Sequence, residues 1–249
     1  MQNPESTQFG QKTVTPDEKT GLVRGVFDSV ADKYDLMNDL MSGGVHRLWK
    51  DRFVRDIRPR ADLKYLDVAG GTGDIAFRIK KRAGANADIT IFDLNEQMLT
   101  VGRDRAIDKG WLDGFEWVTG NAESLPFPDN HFDVYTIAFG LRNVTRIDTA
   151  LAEAARVLKP GGWFFCLEFS HVKDPFLSKA YDVYSKAFIP QMGKLVANDA
   201  DSYEYLIESI RKMPTQEDLC ARMEKAGLKK AVFSNLSAGI VAIHKGYKI

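Results

Sequence analysis

The sequence predicts an α/β fold in which a doubly wound, mostly parallel sheet ends in an antiparallel C-terminal hairpin. Two observations support this prediction. Between residues 64 and 167, five short apolar segments alternate with helical segments, and strands joined by helical crossovers run parallel, with both sheet faces covered. Near the C-terminus, two strand-like segments at 231–235 and 239–244 are only a short turn apart, a spacing that requires antiparallel pairing.

Two helical segments precede the sheet. Apolar residues recur at helical spacing in 22–41 and again in 46–58. We expect residues 1–21 to be a mobile tail and 22–249 to form a single domain. Residues 174–213 are rich in Tyr and Phe and lack strand signals, so they are predicted to form a helical insertion that caps the sheet. Its aromatic residues could belong to the core or could form a lid.

Each predicted parallel strand is short and apolar, and a segment with helical periodicity follows it. Asn95 is a suitable N-cap for the helix after the second strand, and the KPGG sequence at 159–162 is a strong helix stop. The predicted strands are 64–68, 89–93, 115–118, 134–139 and 163–167, and the predicted helices begin near 75 and cover 96–108, 147–158 and 215–226.

Composition excludes several classes of protein. The 249 residues carry 34 Lys and Arg against 34 Asp and Glu, without the basic excess of sequence-independent nucleic-acid binding, so no nucleic-acid partner is expected. Two cysteines, Cys166 and Cys220, make neither a disulfide scaffold nor a metal cluster, and no metal is predicted. Residues 1–20 do not resemble a targeting signal, and no apolar run reaches the length of a membrane span. This predicts a cytoplasmic protein, peripheral to the inner membrane at most.

A glycine-rich loop, AGGTG at 69–73, follows the first predicted strand. Gly71 and Gly73 let the backbone approach a ligand closely, and ligands of open α/β sheets bind at the carboxyl ends of the strands. Asp93 ends the second predicted strand, where a carboxylate can accept hydrogen bonds from both hydroxyls of a ribose. The loop also fits the G-x-G-x-x-A dinucleotide pattern, so the glycines alone do not distinguish NAD from S-adenosylmethionine.

Charge around the loop favours S-adenosylmethionine. Asp67 precedes the glycines and Asp74 follows them, and two carboxylates would repel a pyrophosphate but suit an ammonium and a sulfonium. Asn121 and Ala122 follow the third strand, where an amide and a backbone N–H could contact adenine. Together with the terminal hairpin, these features predict a Rossmann-like class I S-adenosylmethionine-dependent methyltransferase fold, by analogy at the level of the fold.

Three motifs make the resemblance more specific. Residues 34–49, YDLMNDLMSGGVHRLW, match the pattern Y-D-x-M-N…S-x-x-x-H-x-x-W. Residues 156–170 match R-V-L-K-P-G-G…E-x-S, and residues 139–143 match F-G-[LI]-R-N. From about residue 22 to its end, the chain resembles the ubiquinone/menaquinone biosynthesis C-methyltransferase family.

The resemblance implies C-methylation of a polyprenylated quinol ring with S-adenosylmethionine as methyl donor. The acceptor would be 2-methoxy-6-polyprenyl-1,4-benzoquinol, demethylmenaquinol, or both. Donor contacts are implied at Thr72, Asp93, Asn121 and Ala122, with Gly71, Gly73 and Asp67 beside them. The family commonly has Ser at position 138, where this chain has Ala138, so any contact there must come from the backbone. Tyr34 could close over the donor, or could belong to the core.

Methylation of a ring carbon requires that a neighbouring phenol ionise, and a free phenol has a pKa of about 10. Arg142 and Asn143, at the end of the fourth strand, are the candidate catalytic residues. Arg142 would stabilise the phenolate, and Asn143 would hold the quinol or a water molecule. The structural alternative is an ion pair of Arg142 with Asp67, Glu123 or Glu168. His171, after the fifth strand, is a reserve candidate for proton transfer.

Two other functions stay open at this point: an NAD(P)-dependent oxidoreductase, and a non-catalytic S-adenosylmethionine-binding scaffold in a quinone-biosynthesis complex. A homodimer is also compatible with the sequence. Residues 46–60 carry six basic residues, Lys50 among them, against two acidic ones. This predicts either a solvated helix face or a peripheral contact with an anionic membrane, where a polyprenyl quinol resides.

Overall fold

A seven-stranded sheet forms the centre of the molecule in the computed structural model, which describes residues 7–9, 12–15, 18–19, 21–22, 25, 42–84, 86–172 and 200–249. A two-stranded hairpin precedes it. The strands are β1 (Thr7–Phe9), β2 (Lys12–Val14), β3 (Lys64–Val68), β4 (Asp88–Asp93), β5 (Phe115–Thr119), β6 (Phe132–Ala138), β7 (Leu158–Phe169), β8 (Leu228–Leu236) and β9 (Val241–Lys248).

The strand order is β5-β4-β3-β6-β7-β9-β8. The first five strands in this order are parallel, and β9 pairs antiparallel with both β7 and β8. The order reverses direction between β3 and β6, which leaves a crevice beyond their carboxyl ends. The predicted parallel sheet with an antiparallel terminal hairpin at its edge is confirmed.

Helices cover both faces of this sheet. On one face, Phe53 and Ile79 pack against Ile89 and Phe165; on the other, Leu151 packs with Phe164. The described helices are α1 (Val45–Ile57), α2 (Asp74–Ala83), α3 (Glu96–Asp108), α4 (Ile147–Val157), α5 (Ala200–Arg211) and α6 (Gln216–Lys225). Two hydrophobic cores separated by one sheet are the arrangement that a doubly wound fold requires.

Strand β7 begins five residues earlier than predicted. Leu158 pairs with Phe132, and after an irregularity in the register Trp163 pairs with Val134. The prediction that residues 159–162 end the preceding helix is confirmed, because α4 ends at Val157. Residues 159–162 are part of strand β7 and do not form a separate turn.

Several predicted features lie wholly or partly outside the described residues. Of the predicted helix 22–41, Leu22 and Gly25 are described, both in helical conformation, and Tyr34 is not. Of the predicted insertion, 174–199 is outside and 200–211 forms α5. The hairpin β1–β2 lies within the segment that we expected to be a mobile tail. Among the described helices, none is long and apolar enough to cross a membrane.

Candidate functional site

A cavity opens at the carboxyl ends of β3, β4 and β6, where the sheet order reverses. Seven of the nine predicted donor-site residues line it: Asp67, Gly71, Thr72, Asp93, Asn121, Ala122 and Ala138. Gly73 does not line the cavity and is the N-cap of α2, and Tyr34 is outside the described residues. The cavity is lined by segments 67–72, 74–75, 92–95, 120–123, 138–140 and 143–145, together with Lys50 and Met98.

The glycine loop is shaped by close backbone approach. A Cβ added to Gly70 would lie 2.6 Å from Cγ2 of Ile91, so no side chain fits there. Gly71 has a φ of +53°, a conformation that L residues rarely adopt. Its N–H donates to Oδ2 of Asp93 at 2.8 Å, which connects the end of β3 to the end of β4.

Asp93 presents a carboxylate that is already oriented by the backbone. Its Oδ1 accepts a hydrogen bond from the Asn95 N–H at 2.8 Å, and its Oδ2 accepts from Gly71. Burial raises the pKa of Asp93 to about 6, against the opposing effect of these backbone N–H groups. The carboxylate is therefore ionised at neutral pH, and each oxygen keeps a lone pair that can accept a hydroxyl hydrogen.

Asp67 is a buried carboxylate with one oxygen unsatisfied. Its Oδ1 accepts from Oγ1 of Thr136 at 2.7 Å, but Oδ2 has no hydrogen-bond partner in the described part of the chain. Burial raises the pKa of Asp67 to about 7. A buried unpaired carboxylate is costly in an empty protein, so this group is suited to a cationic ligand.

A turn after β5 forms the opposite wall of the cavity. Asn121 Oδ1 accepts from the Glu123 N–H at 2.9 Å, which leaves the amide NH2 of Asn121 to donate to a ligand. Glu123 in turn accepts from the N–H groups of Thr145 at 3.1 Å and Arg146 at 3.0 Å. These bonds fix Asn121 and Ala122 relative to the start of α4.

Two further predicted donor-site residues contribute differently. Thr72 is buried, and its Oγ1 accepts a hydrogen bond from Nη1 of Arg105 at 3.1 Å. Its own hydroxyl hydrogen can still donate. Ala138 lines the cavity and has only a methyl side chain, so its backbone supplies any polar contact.

The structure places Arg142 in one of the predicted structural alternatives, an ion pair with Glu168. Nη1 of Arg142 lies 2.9 Å from Oε1 of Glu168, and the side chains are 5% and 1% exposed. The same nitrogen donates to the Phe139 carbonyl. Arg142 is not among the lining residues, whereas Asn143 is.

Asn143 is oriented by a residue from α5. The hydroxyl of Tyr205 donates to Oδ1 of Asn143 at 3.1 Å, and Tyr205 is buried. The oxygen of the amide is thus engaged away from solvent. The NH2 group is the part of Asn143 that can donate toward the cavity.

The reserve candidate His171 does not line the cavity. Its Nε2 lies 2.7 Å from the Met213 carbonyl, which can only accept, so Nε2 carries the hydrogen. His171 therefore connects the end of β7 to the loop after α5. Within the described residues, no group of His, Cys, Asp or Glu side chains is arranged to hold a metal ion.

Two cavity-associated residues have contacts that the sequence did not predict. Lys50 was assigned to the basic surface of α1, but it is buried and lines the cavity. The signal was present: Lys50 falls at helical spacing with Trp49, Phe53 and Ile57, all on the inward face. Tyr205 belongs to the aromatic insertion predicted at 174–213, but its pairing with Asn143 carried no local signal, because the two residues lie 62 positions apart in the chain.

Comparison with known proteins agrees with this architecture. An S-adenosylmethionine-dependent methyltransferase from Thermotoga maritima superposes with a TM-score of 0.64 and 20% identity, covering 91% of this chain and 100% of that one. A second, from Aquifex aeolicus, gives a TM-score of 0.61 and 15% identity, covering 86% and 98%. At these identities the likeness concerns the fold alone, and it confirms the predicted methyltransferase fold.

Sequence comparison reaches further. The chain is 57% identical over 243 residues to a Brucella abortus (strain S19) protein named ubiquinone/menaquinone biosynthesis C-methyltransferase UbiE, covering 97% of this chain and 90% of that protein. A model of the ubiE/COQ5 methyltransferase family matches residues 12–248. Because the family model spans nearly the whole chain and the Brucella protein is 57% identical over 97% of it, the chain belongs to the ubiE/COQ5 methyltransferase family.

Proposed function

We propose that the chain methylates a ring carbon of a polyprenylated quinol in ubiquinone and menaquinone biosynthesis, with S-adenosylmethionine as donor. One observation carries the choice of donor: beside the glycine loop the cavity is lined by Asp67, a buried carboxylate with one oxygen that has no hydrogen-bond partner in the described part of the chain. A dinucleotide would place its pyrophosphate next to the loop, where this carboxylate would repel it. S-adenosylmethionine instead brings an ammonium and a sulfonium to the loop, while Asp93 suits the ribose that both ligands carry.

Calorimetric titration distinguishes an S-adenosylmethionine site from a dinucleotide site. We expect S-adenosylhomocysteine to bind the purified chain and NADH not to bind, because only the former lacks a pyrophosphate. Asp93→Asn is expected to weaken the binding of S-adenosylhomocysteine by about 10–100-fold, since the carboxylate is replaced by a poorer acceptor for the ribose hydroxyls. Saturable binding of NADH without binding of S-adenosylhomocysteine would refute the proposed function.

On the acceptor side, Asn143 is the proposed catalytic residue. The donor supplies an electrophilic methyl group, so the acceptor carbon must become nucleophilic through ionisation of a neighbouring phenol. The Asn143 NH2 can donate a hydrogen bond to that phenol oxygen, because Tyr205 holds the other end of the amide. Such a bond is stronger to a phenolate than to a phenol and therefore favours the ionised form.

For Arg142, we propose a positioning role. Glu168 balances its positive charge, and both side chains are buried below the cavity wall. Through Phe139 and Glu168 the guanidinium connects the turn at 139–143 to the end of β7. Direct stabilisation of the phenolate by Arg142 stays a prediction; Arg142→Lys keeps the charge, and unchanged turnover at saturating quinol would contradict both roles.

The choice between ring systems is tested in a bacterial strain that lacks its own quinol C-methyltransferase. Expression of this chain is expected to restore both ubiquinone and menaquinone, as the name of its Brucella relative suggests. Continued accumulation of demethylmenaquinone alone would restrict the activity to the benzoquinol branch. Continued accumulation of the unmethylated methoxy-benzoquinone alone would restrict it to the naphthoquinol branch.

A membrane contact through α1 would bring the enzyme to its lipid substrate. Arg47, Leu48, Arg52 and Arg55 are exposed on this helix, and Leu48 is 68% exposed. A basic face with an exposed apolar side chain is suited to anionic lipid. We expect flotation with vesicles that contain anionic lipid, loss of flotation in Arg47→Glu/Arg55→Glu, and no flotation with neutral vesicles. Equal flotation with both vesicle types would contradict the proposal.

A homodimer and a quinone-biosynthesis complex stay predictions. Sedimentation tests the first, and co-purification tests the second.

A further inference from the structure

Lys50 is a buried cation in the wall of the cavity. It lies on the inward face of α1 and is 6% exposed. Its Nζ donates to Oδ2 of Asp74 at 2.8 Å. A lysine is costly to bury and is retained in such a place only when its charge is compensated.

Asp74 does not depend on Lys50 alone for compensation. Its Oδ1 accepts from Nε of Arg78 at 2.8 Å, and Arg78 also pairs with Asp51 at 2.5 Å. Burial raises the pKa of Asp74. The positive charges of Lys50 and Arg78 together have the larger effect, so the pKa of Asp74 is lowered. Lys50 makes this one hydrogen bond in the described part of the chain, so two of its three N–H donors are available to a ligand.

The order of the strands indicates which part of a ligand would meet Lys50. Asp93 ends β4 and Asn121 follows β5, and these two strands lie on one side of β3. Helix α1 lies toward the other side, since the Trp49 ring is 6.5 Å from that of Phe139 after β6 and 6.4 Å from that of Phe169 on β7. A donor with its nucleoside at Asp93 and Asn121 therefore extends its amino acid end toward Lys50.

We propose that Lys50 binds the carboxylate of the donor's amino acid end, while Asp67 faces the ammonium of the same group. The inference rests on the proposed function, because it takes S-adenosylmethionine as the donor. An ammonium and a carboxylate at one end of a ligand then each meet a buried group of opposite charge in the cavity. Lys50 thus acts as a determinant of donor specificity that comes from outside the sheet.

Three ligands separate the contributions in calorimetric titrations of the full chain. S-adenosylhomocysteine carries both charges, its decarboxylated analogue carries only the ammonium, and 5′-methylthioadenosine carries neither. Lys50→Met is expected to weaken the binding of S-adenosylhomocysteine by about 10–100-fold and to change the affinities for the other two ligands by less than about twofold. Arg222→Met is the control on α6, outside the cavity lining: it removes surface ion pairs with Asp218 and Asp148 and should leave all three affinities unchanged.

The affinity for 5′-methylthioadenosine also reports whether a variant is folded. If Lys50→Met does not fold, Lys50→Gln preserves length and a polar end and should show the same selective loss. Equal weakening of all three ligands, or no weakening of S-adenosylhomocysteine, would overturn the assignment of Lys50 while leaving the proposed function intact. If the unmodified chain bound none of the three ligands, the proposed function itself would fail.

Discussion

If Asp67 faces the donor's ammonium as proposed, we expect donor binding to depend on pH through this carboxylate. Its pKa of about 7 in the ligand-free protein means that the carboxylate is partly protonated near neutrality. A bound ammonium would lower this pKa, so binding releases a proton, and affinity rises as pH rises through 7. We expect S-adenosylhomocysteine to bind about tenfold more tightly at pH 8 than at pH 6 from this group alone. Calorimetry at pH 6.5 in buffers of different ionisation enthalpy measures the released proton directly.

Asp67→Asn is the control for this prediction. It should abolish most of the proton release and flatten the affinity profile between pH 6.5 and 8. Asp93, whose pKa is about 6, would still contribute a smaller dependence below pH 6.5. Proton release that persists unchanged in Asp67→Asn would assign the linkage to another group.

The same carboxylate lowers the stability of the empty protein. Because its folded-state pKa is raised above the ordinary value of 3.8, stability from this group is complete below pH 3.8 and is lost as pH rises to about 7. Ligand-free Asp67→Asn should therefore be more stable than the unmodified protein at pH 8, by about 2–4 kcal/mol, and nearly equal to it at pH 4. Thermal unfolding at both pH values tests this, and a destabilised variant at pH 8 would contradict it.

At the scale of elements, the pair between Arg142 and Glu168 connects the turn after β6 to the end of β7. Glu168 also accepts from the N–H groups of Arg142 and Phe169. Arg142→Met would leave a buried carboxylate uncompensated and should cost about 3–5 kcal/mol of unfolding free energy. In the double variant Arg142→Met/Glu168→Leu, much of this loss should be recovered, because no unpaired charge remains.

Denaturant unfolding of Arg142→Met, Glu168→Leu and the double variant, beside the unmodified chain, completes the double-mutant cycle. Additive losses would show that the two side chains do not stabilise each other. A positioning role further requires that Arg142→Lys lower kcat while the affinity for S-adenosylhomocysteine stays within about twofold. A loss of both in parallel would indicate a general disturbance of the cavity.

Element positions were largely predictable because periodicity records burial. Strand β3 and helix α3 have the predicted bounds, since apolar runs and the Asn95 cap mark their ends. The hairpin β1–β2 was not predicted, because strands of three residues are too short for a periodic signal. The extension of β7 across 159–162 depends on pairing with Phe132, which no local pattern shows.

The site was predictable to the extent that it is built from one continuous sheet edge. Thr72, Asp93 and Asn121 follow strands whose ends must meet, so their convergence follows from the fold. Lys50 and Tyr205 come from helices outside this order. Their contribution depends on how α1 and α5 pack, which a sequence pattern encodes only as an inward-facing position.

At the scale of the whole molecule, one sheet separates two cores and places the donor cavity at its carboxyl edge. Helix α1 contributes Lys50 to the lining of this cavity, and α5 contributes Tyr205, which donates to Asn143. In the proposed function, the sheet edge would hold the nucleoside and the ammonium of the donor, while the flanking helices would supply Lys50 for its carboxylate and Tyr205 to orient Asn143. This division predicts that helix variants alter specificity and turnover, while sheet-edge variants alter donor binding as a whole.

Turnover with isotope-labelled donor shows which atom of the acceptor receives the methyl group. The purified chain is incubated with S-adenosylmethionine carrying a labelled methyl group and a reduced short-chain polyprenyl quinol, and the product is analysed by mass spectrometry after oxidation. We predict one labelled methyl group on a ring carbon, in a product that still oxidises to a quinone, and loss of this product in Asn143→Ala. Methylation of a phenol oxygen would prevent oxidation to the quinone. A label found there, or no transfer at all, would contradict the proposed C-methylation.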